Sequence, residues 1–290
     1  MNVELLAQLL VNGLISGSFY ALVGLSWGLI FATTKIFHFS HAFTFAAAGY
    51  GFTLAATAGL PLPVSAGVAG LVGLGFGLTQ ERWLYRPLRR ASASQLNIFL
   101  ASLGFLFAGQ SLLQIVFGPS ARRLPGFTEI GVSLGPVAFT HLDAITLAEA
   151  AGLSVLTLTV LYKSRPGRAI RGVASNPELA RAVGINDDAV FSLVFAIGSL
   201  LVGLASVPYV LRNAATPTMG IGPVLGGFIG VFLGGIGSYG GMLAGGLILG
   251  LAENLGGLFL PGSWQPVIAF VLLFLMLLTR PAGLFGQATR

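Results

Sequence analysis

Long apolar segments run through most of the sequence, and they limit the fold more than any other feature. One of them, "AVFSLVFAIGSLLVGLASVPYVL", covers residues 189–211 without a charged side chain. A helix of about 20 apolar residues spans the hydrocarbon core of a bilayer. Only 8% of the residues are charged, whereas soluble domains have about 25%. The apolar segments are continuous and do not alternate, which argues against a β-barrel. The sequence therefore predicts an all-α, polytopic transmembrane helical bundle.

About eight or nine spans are predicted within a single transmembrane domain, residues 1–290. The predicted segments are 5–33, 38–58, 62–80, 96–118, 144–162, 189–211, 222–237, 241–260 and 264–279. Glycines and Pro223 in the region 222–260 would also permit a broken or re-entrant helix, which is tolerated where protein buries it. Between the spans we expect a cytoplasmic loop at 163–188 and an external loop at 119–143.

The basic side chains predict the orientation of the chain. With the N-terminus outside and the C-terminus in the cytoplasm, 12 of the 15 basic residues face the cytoplasm, as the positive-inside rule requires. These are Lys35, Arg82, Arg86, Arg89, Arg90, Lys163, Arg165, Arg168, Arg171, Arg181, Arg280 and Arg290. Only Arg122, Arg123 and Arg212 fall outside. The cytoplasmic loops thus account for the net charge of +6, and we predict no nucleic-acid partner.

The sequence contains no motif for covalent chemistry. It has no cysteine, which excludes disulfides and thiol chemistry. Neither Lys35 nor Lys163 lies in a phosphate-binding G-x-x-x-x-G-K-[ST] loop, and no nucleophile elbow is present. We therefore predict no catalytic residue, no metal and no cofactor held by the chain itself.

Glycines recur at helical spacing in two segments. Within about 60° of one face of the first predicted helix lie Gly13, Gly17, Gly24 and Gly28. A second set, at i, i+4 spacing, consists of Gly237, Gly241 and Gly245. Small residues let helix backbones approach closely in lipid. We expect helix packing at both stripes, within the chain or with a sister subunit; a mobile or ligand-approached backbone is the alternative.

A short polar helix is predicted inside the cytoplasmic loop, at "SNPELARAVG". Asn176 followed by Pro177 fits an N-cap with proline at the first helical position. Ser175 with Glu178 would instead fit a capping box one residue earlier. Gly184 suits the position just after the helix.

One face of this polar helix is apolar. Leu179, Ala182 and Val183 share that face, and Glu178 and Arg181 are expected to pair elsewhere on the helix. A helix of about two turns is too short to be stable alone in water. We therefore expect it to pack on another surface, either a partner protein or the bilayer.

Three polar residues within apolar surroundings are candidates for a substrate path. His38 and His41 lie in "KIFHFSHAFTF" among four phenylalanines, where they could line such a path, anchor a helix end or be buried as part of the packing. Two histidines three residues apart could also bind a metal, but no carboxylate or cysteine is near them. Glu253 is taken as the one acid clearly inside a predicted span, where it is functional, paired or at the mouth of the span.

Four motifs resemble the permease subunits of the branched-chain amino acid type of ABC importer, and the resemblance covers nearly the whole chain. The segment "HFSHAFTFAAAGY" (38–50) is similar to the family's "NFAHGEF…GAY", and "GRAIRGVASNPELARAVGI" (167–185) to its "GRA.RA.S.DPE.A...GI". "FLGGIGSYGGMLAGGLILGLAE" (232–253) resembles a glycine-rich family segment, and "RPAGLFG" (280–286) resembles the family's ending.

The resemblance implies a role for the polar helix. In such permeases the corresponding loop helix couples to a separate ATPase subunit. The residues assigned to ATPase coupling on this basis are Arg171, Pro177, Glu178, Leu179, Arg181, Val183 and Gly184. Leu179 and Val183 would fill the groove of the ATPase, and Glu178 and Arg181 would contact its rim.

The resemblance also implies the partners and the location. The partners are a second, related permease, two ATP-binding subunits that hold ATP and magnesium, and a periplasmic substrate-binding protein. The location is the bacterial inner membrane, which the chain crosses several times. Arg122 and Arg123 in the external loop would dock the acidic face of the binding protein, or serve as interfacial arginines. A stand-alone secondary transporter or channel is the alternative function.

The first motif departs from the family pattern at three positions. His38 replaces an asparagine, Ala42 a glycine and Phe43 an acid. If this region contacts the cargo, the path is more aromatic and less acidic than is typical, which favours a larger, aromatic or less cationic solute. The substrate-path candidates are therefore His38, His41, Phe43 and Glu253.

Overall fold

The computed structural model describes residues 3–286 except residue 136. Within this range the chain forms twelve α-helices and one short β-hairpin. It divides into two compact units, each assembled from separate stretches of sequence. The first unit comprises the described parts of Met1–Gly28, Thr128–Ser154 and Leu225–Arg290, and the second comprises Leu29–Phe127 and Val155–Val224.

The first unit is built on close packing of the opening helix. Helix α1 (Val3–Thr34) places its first 26 residues here, against α10 (Ile221–Gly234) and α11 (Tyr239–Gly256). Gly13 lies against Leu251 and Gly17 against Leu247, so α1 and α11 are antiparallel. The last helix, α12 (Gln265–Thr279), adds the apolar face of Ala269 and Met276 to the core.

The turn between α10 and α11 is sharp, with an angle of 118° between the two helices. Gly235 and Gly237 have positive φ there, and Ser238 caps the start of α11 by accepting from the Gly241 N–H. The chain that follows α12 returns to this turn, since the Phe285 N–H donates to the Gly234 carbonyl at 2.9 Å. The start of α1 and the end of the described chain therefore lie at opposite ends of this unit.

The second unit centres on three tightly packed helices. These are α2 (His41–Thr57), α3 (Leu62–Thr79) and α9 (Asp187–Asn213). Gly73 of α3 faces Gly203 of α9 so closely that a side chain at either position would meet backbone atoms. Helix α5 (Gln95–Phe117) is capped at its start by Ser94, whose hydroxyl accepts from the Asn97 N–H, and is followed by Gly118 with φ of 80°.

The C-terminal end of α3 continues without a break into a π-helical turn, Gln80–Tyr85, and then into α4 (Arg86–Arg90). Helix α6 (His141–Lys163) is followed by two short helices, α7 (Arg165–Ser175) and α8 (Pro177–Ala182). The hairpin of β1 (Gly131–Leu134) and β2 (Val137–Thr140) precedes α6, inside the stretch predicted as an external loop.

Six described helices are long and apolar enough to cross a membrane, or seven if α10 and α11 are one broken span. The structure thus supports a polytopic helical membrane protein, but the predicted count of about eight or nine spans is not established by helix length. Helix α2 has only 17 residues, one reason for the lower number. Arg290, used in the orientation argument, lies outside the described residues.

Candidate functional site

Helix α8 has well-defined ends. The Asn176 side chain accepts from the Leu179 N–H at 2.9 Å, and Pro177 occupies the first turn. Gly184 takes a φ of 85° and its N–H donates to the Arg181 carbonyl. The predicted alternative with a capping box at Ser175 is wrong, because Ser175 is the last residue of α7.

The apolar face of α8 points away from the described protein. Leu179 is 62% exposed and Val183 is 69% exposed, although both are large apolar side chains in a polar segment. Ala182 is exposed beside them, while Ala180 on the opposite face is buried. Leu179, Ala182 and Val183 thus form a small exposed apolar patch on a capped helix.

The charges around this patch differ from the prediction in one respect. Arg181 does not pair with Glu178; it approaches Asp187 at 3.6 Å, at the start of α9. Glu178 has no side-chain partner among the described residues. Because both members of the Arg181–Asp187 pair are partly exposed, the pair contributes little to stability and Arg181 remains available at the edge of the patch.

Arg171 occupies a different place from the other predicted coupling residues. It lies in α7, an eleven-residue helix that was not predicted as separate from the short polar helix. Its guanidinium donates to the Leu161 carbonyl and lies 4.9 Å from the centre of the Tyr162 ring. Arg171 therefore fastens α7 to the end of α6 and is not part of the exposed patch.

An ionic network that sequence reasoning missed lies beside α8. Glu81, in the π-helical turn, is fully buried and accepts two hydrogen bonds from Arg89, at 2.9 and 2.5 Å. Asp188, one residue beyond the partner of Arg181, accepts from Arg90 at 2.9 Å and lies 3.5 Å from Arg89. The adjacent acids Asp187 and Asp188 at the start of α9 thus connect α8 to α4 and to the π-helical turn at the end of α3.

The π-helical turn also contributes to a buried hydrogen-bond network. The Tyr85 hydroxyl lies 2.8 Å from His38 Nδ1 and 2.8 Å from Ser40 Oγ, and donates to Ser102 Oγ at 3.0 Å. Gln80 donates to the Thr44 hydroxyl at 2.9 Å. Gln80, Glu81 and Tyr85 of this turn are all buried. Such turns are frequent at functional sites.

The predicted substrate-path residues of the first motif are all buried. His38 and His41 are fully enclosed, with ring centroids 5.0 Å apart. Phe43 is packed edge-on against Phe76 at 5.0 Å and Phe105 at 5.7 Å. Within the described ranges, no cluster of three histidine or acidic side chains could hold a metal.

Glu253 is buried in α11 and accepts a hydrogen bond from the Tyr20 hydroxyl of α1. It is not the one acid within a helical span, as was predicted, because Glu149 lies in α6, which is also long and apolar enough to cross the membrane. Glu149 also lies within the predicted span 144–162, so the sequence already placed a second acid inside a span.

Of the predicted glycines of α1, Gly13, Gly17 and Gly24 face backbone atoms of other helices in the first unit, and Gly28 faces side chains. A side chain at Gly17 would meet the Leu247 backbone at 2.9 Å, and one at Gly24 would meet the Gly227 carbonyl at 2.9 Å. Gly28 faces Met242 and Val231. Gly241 and Gly245 of α11 lie against the backbone of α10.

Gly237 does not belong to this stripe. It lies in the turn before α11 with φ of 95° and has open space around it. Its i, i+4 spacing to Gly241 is coincidental, because the helix begins only after Ser238.

Comparison with known proteins agrees with this architecture. A family model described as the permease component of a branched-chain amino acid transport system matches residues 9–277. The high-affinity branched-chain amino acid transport system permease protein LivH of Escherichia coli is 30% identical over 97% of this chain and 95% of its own. The corresponding protein BraD of Pseudomonas aeruginosa is 31% identical over the same shares.

One solved structure has a related fold. PsaBC from Streptococcus pneumoniae, in complex with Fab, contains a chain that superposes with a TM-score of 0.52 at 17% identity. The match covers 93% of this chain and 91% of that one. The family resemblance predicted from the four motifs is confirmed by the sequence matches. The chain belongs to the family of permease components of branched-chain amino acid transport systems.

Proposed function

We propose that this chain is the membrane-spanning permease subunit of a bacterial ABC importer that carries an amino acid or a related small organic solute. The observation that carries the proposal is the exposed apolar pair, Leu179 and Val183, on a capped polar helix. Two exposed large apolar side chains in a charged cytoplasmic segment need a partner surface. A separate ATPase subunit supplies that surface.

The connections of α8 give it a route to act on the chain. Arg181 contacts Asp187, and the next residue, Asp188, contacts Arg86, Arg89 and Arg90. Arg89 holds Glu81 in the π-helical turn. A displacement of α8 by the ATPase therefore moves the start of α9 and the end of α3 together, as in other rigid-body switches.

The orientation in this proposal is N-terminus outside and C-terminus in the cytoplasm. In the first unit the start of α1 and the end of the described chain lie at opposite ends. This arrangement supports an odd number of membrane crossings. If α2 crosses the membrane despite its length, the count rises from the six long helices toward eight or nine, depending on how α10 and α11 are placed. Local thinning of the bilayer accommodates short spans.

The partners follow from this assignment. The permease pairs with a second, related permease, and two ATP-binding subunits supply ATP and magnesium. A periplasmic substrate-binding protein docks at the external loop 119–143, where Arg122 and Arg123 are exposed. The chain itself is not an enzyme and holds no cofactor, and the complex resides in the inner membrane.

The buried residues His38, His41, Phe43 and Glu253 remain candidates for the path of the cargo. Their full or nearly full burial requires that the path opens only in another state of the transporter. The more aromatic first motif favours a larger or aromatic cargo over a cationic one.

Reconstitution tests the proposed function directly. The permease is purified with the ATPase and permease subunits encoded beside it, placed in proteoliposomes and supplied with the binding protein and labelled amino acids. We expect uptake that requires ATP and both ATPase subunits. Full uptake by this chain without any ATPase would instead establish a stand-alone secondary transporter or channel.

A further inference from the structure

An open cleft in the second unit has the chemistry of a binding site for an anion. It encloses about 360 Å³ between α2 and the segment that follows α5, and ligand pockets of small molecules begin at about 300 Å³. It is lined by Tyr50, Thr53, Leu54, Thr57, Ala121, Arg122, Arg123 and Pro125. None of these side chains is acidic, so the cleft carries only positive charge.

One wall of the cleft is held rigidly. Arg122 exchanges two backbone hydrogen bonds with Ala215, both 2.9 Å long. Its Nε and Nη2 atoms donate to the Phe117 carbonyl, and its guanidinium lies 5.3 Å from the centre of the Phe117 ring. Since arginine has five N–H donors, Arg122 keeps three for a ligand.

The other wall contains an unused polar group. Tyr50 is almost completely buried, and its ring stacks on Phe117 at 4.5 Å. Its hydroxyl makes no hydrogen bond within the described residues. The hydroxyls of Thr53 and Thr57, in contrast, donate to carbonyls of their own helix. A buried polar group without a partner is costly and points to an occupant that supplies one.

The second arginine has no partner within the described residues. Arg123 is exposed, and no described side chain or carbonyl accepts from its guanidinium. Two arginines and a tyrosine hydroxyl thus leave free N–H and O–H donors and positive charge in the cleft, and no acidic side chain lines it. Such a set recognises a planar anion such as a carboxylate, which accepts bidentate bonds from arginine.

We infer that this cleft binds the carboxylate of the transported solute before it enters the permease. The inference rests on the proposed function and on its orientation, which places the cleft on the outer side. The size of the cleft favours a small molecule over a segment of the binding protein. Arg123 and the remaining donors of Arg122 hold the carboxylate, and Tyr50 hydrogen-bonds it.

The absence of cysteine from the sequence allows a test that does not depend on transport. Ala121→Cys places a single thiol in the permease at the edge of the cleft, and a small impermeant maleimide labels it in the full complex in nanodiscs. L-Leucine and L-phenylalanine at about 10 mM, each compared with its carboxamide, serve as probes. For a Kd of about 1 mM, either acid would slow labelling about tenfold, and the uncharged amide group would not.

Two second-site variants separate the cleft from its surroundings. Arg123→Gln should abolish protection, whereas Arg212→Gln, which removes an outer arginine that does not line the cleft, should leave it unchanged. The inference would be overturned if labelling were the same with and without both acids. It would also be overturned if the amides protected as well as the acids, or if protection followed the lipid phosphate content. ATP-driven uptake by the wild type in parallel reports the proposed function separately.

Discussion

Loss of Arg89 should destabilise the protein far more than loss of both members of its ion pair. Glu81 is fully buried and receives a two-point hydrogen bond from Arg89. At an effective dielectric constant of about 20, two charges about 4 Å apart attract by about 4 kcal/mol. Desolvation of the two ions offsets most of that gain. The pair as a whole therefore contributes little to the free energy of unfolding, but removing one ion leaves the other without compensation.

The expected magnitudes follow from what each substitution leaves behind. Arg89→Met leaves a buried carboxylate, for which the usual cost is about 3–5 kcal/mol. Arg86 Nε remains 3.7 Å from Glu81, so we expect about 3 kcal/mol. Glu81→Met should cost about 1 kcal/mol, because Arg89 keeps Asp188 and some access to water. The double variant should lie within about 1 kcal/mol of the wild type.

Equilibrium unfolding in mixed micelles with increasing SDS measures these differences, with tryptophan fluorescence as the signal. Arg168→Met, which removes an exposed arginine of α7 with no side-chain partner in the described chain, is the control and should change the free energy of unfolding by less than about 0.5 kcal/mol. If the double variant loses as much stability as the two single variants added together, the two residues do not act as a pair and the reasoning fails.

Three further predictions concern packing, capping and buried polarity, all measurable on the purified protein. Gly17→Ala should lower the free energy of unfolding by about 1–3 kcal/mol, because the added methyl group would meet the Leu247 backbone. Gly75→Ala, at a position with open space around it, should not lower it. Equal effects of the two substitutions would contradict the packing of α1 on α11. Asn176→Ala removes the cap of α8 and should cost about 1 kcal/mol, seen as faster amide hydrogen exchange in α8; unchanged exchange would show that the cap is not needed. Tyr85→Phe should cost about 1–3 kcal/mol by leaving its buried partners unsatisfied, and a loss no larger than that of the exposed control Tyr162→Phe would count against the network.

Much of the site was predictable because its determinants are local in sequence. The cap, first-turn proline and terminal glycine of α8 all lie within ten residues, and local rules assign them. The packing side of α1 was predicted in the same way from the spacing of its glycines. Gly237 shows the limit of spacing alone, because glycine suits a tight turn as well as a helix interface. Ser238, a good N-cap residue, was the signal that the helix starts after it.

The missed features depend on partners that are distant in sequence. Glu81 follows an apolar segment and precedes four arginines, so nothing local in the sequence marks it as buried. Its burial depends on the helices packed around the π-helical turn, and no local pattern in the sequence predicts that turn. Asp188 lies 99 positions beyond Arg89, and only the packing of α9 against α3 brings the two together. The exposure of Leu179 and Val183 was likewise visible only in the folded chain.

The measurement that bears most directly on the proposed function is ATPase association with a chain altered on α8. Leu179→Asp combined with Arg181→Glu should abolish co-purification of the ATPase subunits and ATP-driven uptake, while leaving the permease folded. Ile130→Asp is the matched control, because Ile130 is 61% exposed, close to Leu179, but lies in the proposed external loop. The control should retain both properties. ATPase binding and uptake that survive in the α8 variant would contradict the assignment of this helix as the docking site.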